Sequence, residues 1–104
     1  MVRSYVDLAP EQLGDLPHGT RRIDVREPIE FSGPLGHLPD AELVPLATLE
    51  AAAHEWRREV PILLICRSGA RSARAAMLLA QLGFTRLYNL AGGMVAVRQT
   101  APLP

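Results

Sequence analysis

The feature that most constrains this chain is the run Ile62-Leu63-Leu64-Ile65, which stops at Cys66-Arg67-Ser68-Gly69 and gives way to an Ala- and Leu-rich stretch from Ser72 to Leu82. Four consecutive apolar residues leave no side for water, so the strand they form must be covered on both faces. A strand of that kind belongs in a parallel sheet between helices, and the strand-turn-helix order is half of a βαβ unit. Ligands of such sheets bind beyond the carboxyl ends of the strands, and Cys66 sits at one of those ends.

The rest of the chain repeats the alternation. Strands are expected at Arg3–Val6, Arg22–Val25, Ala41–Val44 and Arg86–Leu90. A brief helix is expected over Pro10–Leu16, and Glu27–Asp40, rich in Gly and Pro, reads as loop with one helical turn. Leu46, Leu49, Ala53 and Trp56 fall at helical spacing and predict a helix over Leu46–Glu59, ended by Pro61. The helix over Ser72–Leu82 closes at Gly83, with Ser72 or Ser68 as its cap. Gly92-Gly93 reads as a turn before a last short helix, Met94–Gln99. A single domain over residues 1–100 and a loose tail over 101–104 are expected.

Composition narrows the functional classes. The 104 residues suffice for one core, and 48% hydrophobic against 21% charged residues is the balance of a folding chain. Eleven basic residues offset eleven acidic ones, so no global field recruits nucleic acid or an anionic membrane. No apolar run approaches the length of a signal peptide core or a membrane span, which reads as cytoplasmic. The single cysteine cannot form an internal disulfide, and with only His18, His37 and His54 beside it a zinc site is not expected. Cys66 is thus a quiet core residue or a reactive thiol.

Its neighbours favour reactivity. A free thiol is mostly protonated at neutral pH, so a nucleophilic cysteine needs something that stabilises the anion. In Cys66-Arg67-Ser68-Gly69-Ala70-Arg71-Ser72 the chain leaves a strand and wraps into a helix N-terminus, letting successive backbone N–H groups converge on the sulfur. Gly69 permits the backbone conformation this requires. Arg67 and Arg71 are expected to favour the thiolate and hold an anionic co-substrate. Asp24, Arg26 and Glu27 read as charges that tie loops together, His37 as a loop residue without an identifiable catalytic partner, and Trp56 as core or an apolar anchor.

These motifs resemble the rhodanese family across nearly the whole chain. Ile23-Asp24-Val25-Arg26-Glu27 is similar to the family's first strand motif, and Gly36-His37-Leu38-Pro39-Asp40-Ala41 to its Gly-His-Ile-Pro-Gly-Ala segment. Cys66 to Ser72 matches the active-site loop, and Leu82-Gly83-Phe84 with Leu90-Ala91-Gly92-Gly93-Met94 the closing motifs. The resemblance implies a three-layer α/β/α fold with a five-stranded parallel sheet. It also implies a persulfide on Cys66, stabilised by the loop Arg67, Ser68, Gly69, Ala70, Arg71 and Ser72. No cofactor or metal is implied beyond that covalent intermediate. The partners implied are a small anionic sulfur donor such as thiosulfate and a thiophilic acceptor: cyanide, a thiol or a protein cysteine.

Three departures stand out. Ser32 to Leu35 lengthens the segment before Gly36, which would reshape the rim of the site; Asp40 replaces a glycine and must tolerate a left-handed backbone; Val97 stands where many members carry tryptophan. Two other readings attach to such a loop. Related cysteine phosphatases place five residues between cysteine and arginine, whereas four separate Cys66 from Arg71 and Ser72 occupies the arginine position. A redox-sensing or binding module would also use a low-pKa thiol.

Overall fold

Five strands run parallel in the order β1-β5-β4-β2-β3 in the computed structural model, which describes residues 4–100. They are β1 (Val6–Leu8), β2 (Arg21–Asp24), β3 (Ala41–Leu43), β4 (Ile62–Ile65) and β5 (Leu87–Leu90). The helices are α1 (Pro28–Phe31), α2 (Leu49–Ala53), α3 (Ala70–Gln81) and α4 (Gly93–Thr100), with 3-10 turns at Pro10–Asp15 and Leu46–Thr48.

β4 lies at the centre, and each of its four residues is 0% exposed. Strand alternation sends Ile62 and Leu64, and beyond the strand Cys66, toward Leu49 and Ala53 of α2 and Ala75, Ala76 and Leu79 of α3. Leu63 and Ile65 point the other way, onto Leu8, Leu90 and the α4 residues Met94 and Val97. The sheet is therefore the middle of three layers, as the run of apolar residues predicts. Each fully buried Leu or Ile contributes about 1.5–3 kcal/mol, so the two half-cores hold the carboxyl end of β4 firmly in place.

Several boundaries differ from the sequence reading. β1 is displaced toward the C-terminus of the expected Arg3–Val6; Arg3 itself, like the tail 101–104, lies outside the described residues. The long helix expected over Leu46–Glu59 is a 3-10 turn followed by an α2 that ends at Ala53. Beyond that point the periodic residue Trp56 serves another purpose. It packs edge-on against Phe84 with centroids 6.3 Å apart and lies under Arg21 at 4.3 Å. Arg58 replaces the helix's own hydrogen bonds, donating from Nη1 to Ala53 O at 3.0 Å and Trp56 O at 2.6 Å and from Nε to Leu82 O at 2.9 Å. Tertiary contact overrides helical propensity here.

Two departures from the family pattern find their places. Asp40 adopts φ 61°, the left-handed conformation expected of a residue in glycine's position. Val97, 5% exposed, packs into the core beneath the sheet on the α4 side.

Replacing Arg58 by Met keeps the apolar stem but leaves three carbonyls without a charged donor. The expected loss is about 1–3 kcal/mol, read as a lower urea midpoint at unchanged m-value.

Candidate active site

The site forms where β4 ends. Cys66 continues the strand's alternation and faces α3, and the chain then turns through Gly69, whose φ of 105° is left-handed and caps α3. A side chain at 69 would be strained by that backbone and would put its Cβ 3.2 Å from Gly92 N. The turn aims the Gly69 N–H at Cys66 Sγ, 3.0 Å away. The backbone N–H groups of Ser68 and Ser72 also act to stabilise its anion.

α3 starts at Ala70, earlier than the expected Ser72, so neither Ser72 nor Ser68 is its cap; Gly69 occupies that position. Ser72 is placed in the first turn with its side chain buried, Oγ lying 3.2 Å from Cys66 Sγ. Burial pushes the Cys66 thiol up, but hydrogen bonds from the Ser72 hydroxyl and from the N–H groups of Ser72, Gly69 and Ser68 outweigh it. The net result is a thiol below its ordinary range. Hydrogen bonds, ahead of arginine charge, are the leading stabilisers of this thiolate.

The two arginines have separated roles. Arg71 Nη1 and Nη2 each donate to a Glu30 carboxylate oxygen at 2.7 Å, a bidentate clamp that ties α3 to α1. Those hydrogen bonds, with the Arg71 charge, hold the Glu30 carboxyl down to about 2. The sequence reading assigned Arg71 to an incoming anion; its guanidinium is already engaged by Glu30. Arg67 is exposed and makes no salt bridge among the described residues. With Ser68 and Ala70 it forms the exposed rim, while Cys66 itself is 1% exposed.

Behind the rim, the loop rests on α4. Cys66 O accepts from Met94 N at 2.9 Å and Arg67 O from Val95 N at 3.0 Å. Gly93, at φ 60°, makes this approach possible, since a Cβ there would fall 2.4 Å from the Arg67 carbonyl. The turn thus falls on Ala91-Gly92, one residue before the expected Gly92-Gly93, and Gly93 opens α4 and seats the loop.

Of the charges expected to tie loops together, Asp24 and Arg26 do so. Arg26 and Asp24, 1% and 0% exposed, form a buried pair with Nε–Oδ1 2.9 Å and Nη2–Oδ2 2.8 Å, and Arg26 also donates to Gly36 O at 2.7 Å and Glu30 O at 3.2 Å. Glu27 is exposed, and its N–H donates to Glu30 Oε1 at 3.1 Å. His37 stacks on Phe31 at 3.7 Å with Nδ1 2.9 Å from Phe31 O; a carbonyl only accepts, so Nδ1 carries the proton and the ring is a structural donor.

One residue escaped the sequence reading. Asn89, 4% exposed on β5, accepts from Ser72 Oγ at 2.5 Å and donates from Nδ2 to Asp7 Oδ1 at 3.0 Å and Gly69 O at 3.4 Å. A single amide inside the apolar strand Leu87-Tyr88-Asn89-Leu90 was the available signal. Its neighbour Asp7 becomes visible only through the register that pairs the two residues.

A cleft of about 250 Å³ opens at the carboxyl end of the sheet between Arg26, Glu30, Pro34, Leu35 and Arg67. A larger one of about 570 Å³, involving His18, Arg22 and Asp40, lies at the amino ends of β2 and β3, away from the cysteine. Among the described residues no helix is long and apolar enough to cross a membrane.

The family model of the Rhodanese-like domain matches residues 9–100. The chain belongs to this family. Among its rhodanese-like relatives, the uncharacterized protein YqhL of Bacillus subtilis is 46% identical over 100 residues, covering 89% of this chain and 78% of YqhL. The thiosulfate sulfurtransferase GlpE of Pseudomonas aeruginosa is 30% identical, covering 98% of this chain and 92% of GlpE. The crystal structure of a rhodanese-related protein from Thermoplasma volcanium superposes with TM-score 0.80 at 26% identity, covering 93% of this chain and 94% of that one.

Glu30 is held below its ordinary 4.5, to about 2, so the clamp's contribution is full above pH 4.5 and lost as pH falls toward 2. Replacing Glu30 by Gln is expected to lower unfolding free energy by about 1 kcal/mol at neutral pH, a value discounted for solvent exposure. The wild-type and variant stability curves should converge as pH approaches 2.

Proposed function

We propose that this protein is a sulfurtransferase that carries sulfane sulfur as a persulfide on Cys66. The observation that carries the reading is the ring of donors around a single buried sulfur, the Gly69 N–H at 3.0 Å and the Ser72 hydroxyl at 3.2 Å, with the N–H groups of Ser68 and Ser72 also favouring its anion. Such a ring is suited to an anion of sulfur size and needs no metal charge to stabilise it. The sulfurtransferase names borne by relatives at 30–36% identity support the same class.

In the first half-reaction the Cys66 thiolate attacks the outer sulfur of an anionic donor such as thiosulfate. A bond forms between Sγ and that sulfur, the donor's S–S bond breaks, and sulfite leaves with the electron pair. The exposed charge of Arg67, which makes no salt bridge among the described residues, steadies the incoming and departing anions at the rim, while Ser68, Ala70 and the Arg71–Glu30 clamp shape the approach. The outer sulfur of the persulfide then lies among the loop N–H groups. In the second half-reaction a thiolate, cyanide or a partner protein's cysteine attacks that outer sulfur, and Cys66 departs as the thiolate from which the cycle began.

A phosphatase reading fits the site less well. Its loop would need an arginine where buried Ser72 stands, and Arg71 is clamped by Glu30. A redox-sensing role would use the same acidified thiol, but it does not account for the sulfurtransferase names of the relatives.

Incubating the reduced protein with thiosulfate should add the mass of one sulfur atom, abolished in Cys66→Ser and reversed by cyanide with release of thiocyanate. Sulfinic acid has nearly the same nominal mass but is not discharged by cyanide. An adduct that resists cyanide would point to oxidation, and the absence of any adduct from thiosulfate or organic persulfides would sink the proposal.

A further inference from the structure

The Ser72 hydroxyl has one proton and three acceptors around it. Asn89 Oδ1 lies at 2.5 Å, and Gly69 O and Cys66 Sγ each lie at 3.2 Å. Which acceptor holds the proton decides whether Ser72 presents a hydrogen or a lone pair to the sulfur. The Asn89 amide settles this from behind. Its Nδ2 faces the Asp7 carboxylate at 3.0 Å and the Gly69 carbonyl at 3.4 Å. Both are acceptors, so the amide nitrogen belongs on that side and Oδ1 must face Ser72. An O–H···O contact of 2.5 Å is at the short end of its range.

We propose that Asn89, oriented by Asp7, is a positioning residue that draws the Ser72 proton away from Cys66 in the resting thiol and yields it when the sulfur becomes an anion. In the thiol state, Ser72 Oγ offers a lone pair to the Cys66 S–H. Once the proton leaves sulfur, the hydroxyl rotates toward Sγ and its bond to Asn89 is given up. Asn89 therefore competes with the thiolate for one hydrogen, and the thiol stays less acidic than its ring of donors alone would make it. This deepens the reading of Cys66 as a nucleophile, yet it concerns the thiol itself and needs no sulfur transfer.

The other ionisable groups near the cysteine are Asp24 at the end of β2 and Arg26 beyond it, Glu30 on α1, and Arg67 and Arg71 of the loop, while Arg74 of α3 is exposed. Tyr88 lies on the opposite face of β5, and the first turn of α4, Gly93–Val95, brings no charge. None of these is changed by substitution at Asn89.

The test is the pH profile of Cys66 alkylation by iodoacetamide, measured on folded protein. Replacing Asn89 by Ala should free the hydroxyl for the sulfur and move the profile acidward by about one pH unit, tenfold in the acid constant. Ser72→Ala should move it alkaline, and Asn89→Ala added to Ser72→Ala should then move it no further. Asp7→Ala, at an exposed edge position, lets the amide turn over and should give a smaller acid shift; it carries the test if Asn89→Ala does not fold. No shift, an alkaline shift, or an acid shift that persists without Ser72 would each overturn the proposal. Failure of sulfur loading with the predicted profiles intact would count against the sulfurtransferase reading alone.

Discussion

A loop that turns its N–H groups inward toward a sulfur turns some of its carbonyls outward, and those carbonyls need donors of their own. Here Cys66 O and Arg67 O find them in Met94 N and Val95 N, among the N–H groups at the start of α4 that have no partner within the helix. One helix terminus thus completes the other: Gly69 caps α3 on one side of the loop, and α4 supports it from behind. Gly93 is the condition for this, because any Cβ at that position would overlap the Arg67 carbonyl. The cradle around the thiol is therefore a property of two helices and a central strand together.

Charge is distributed on the same plan. Arg26 is spent inside, on Asp24 and on the carbonyls of Glu30 and Gly36, which fixes the segment carrying Pro34 and Leu35 against the end of β2. A buried pair of this kind adds little net stability, but removing one partner would strand the other without solvent. Arg71 is spent on Glu30. Arg67 is left on the rim, outside every ion pair among the described residues. The Ser72 hydroxyl and backbone N–H groups do the close work on sulfur, and an exposed cation stands outside at the rim.

Much of this arrangement is legible in the residues. The four-residue run at β4 implies a strand covered on two sides, and Gly69 after Cys66 implies the turn. The motif order identifies the family. What the residues do not reveal is which neighbour wins each side chain. Trp56 and Arg58 sit at plausible helical positions, but α2 stops at Ala53, with Trp56 reaching Phe84 and Arg58 donating to the Ala53 and Trp56 carbonyls. Ser72 looks like a helix cap until Gly69 is found in that role, and Arg71 looks like an anion ligand until Glu30, distant in sequence, is found beside it. Asn89 and Asp7 meet only through strand register. In each case the missing information is a long-range contact, which local propensity cannot contain.

The support of the cysteine loop by α4 also has a consequence in time. Met94 and Val95 follow Cys66 far along the chain, so a ribosome-bound chain that has made β4 and α3 has the thiol but lacks the donors that hold the loop's outward carbonyls. The shape of the loop at Cys66 therefore depends on residues that follow it in the chain, and it is complete only when α4 has docked behind it.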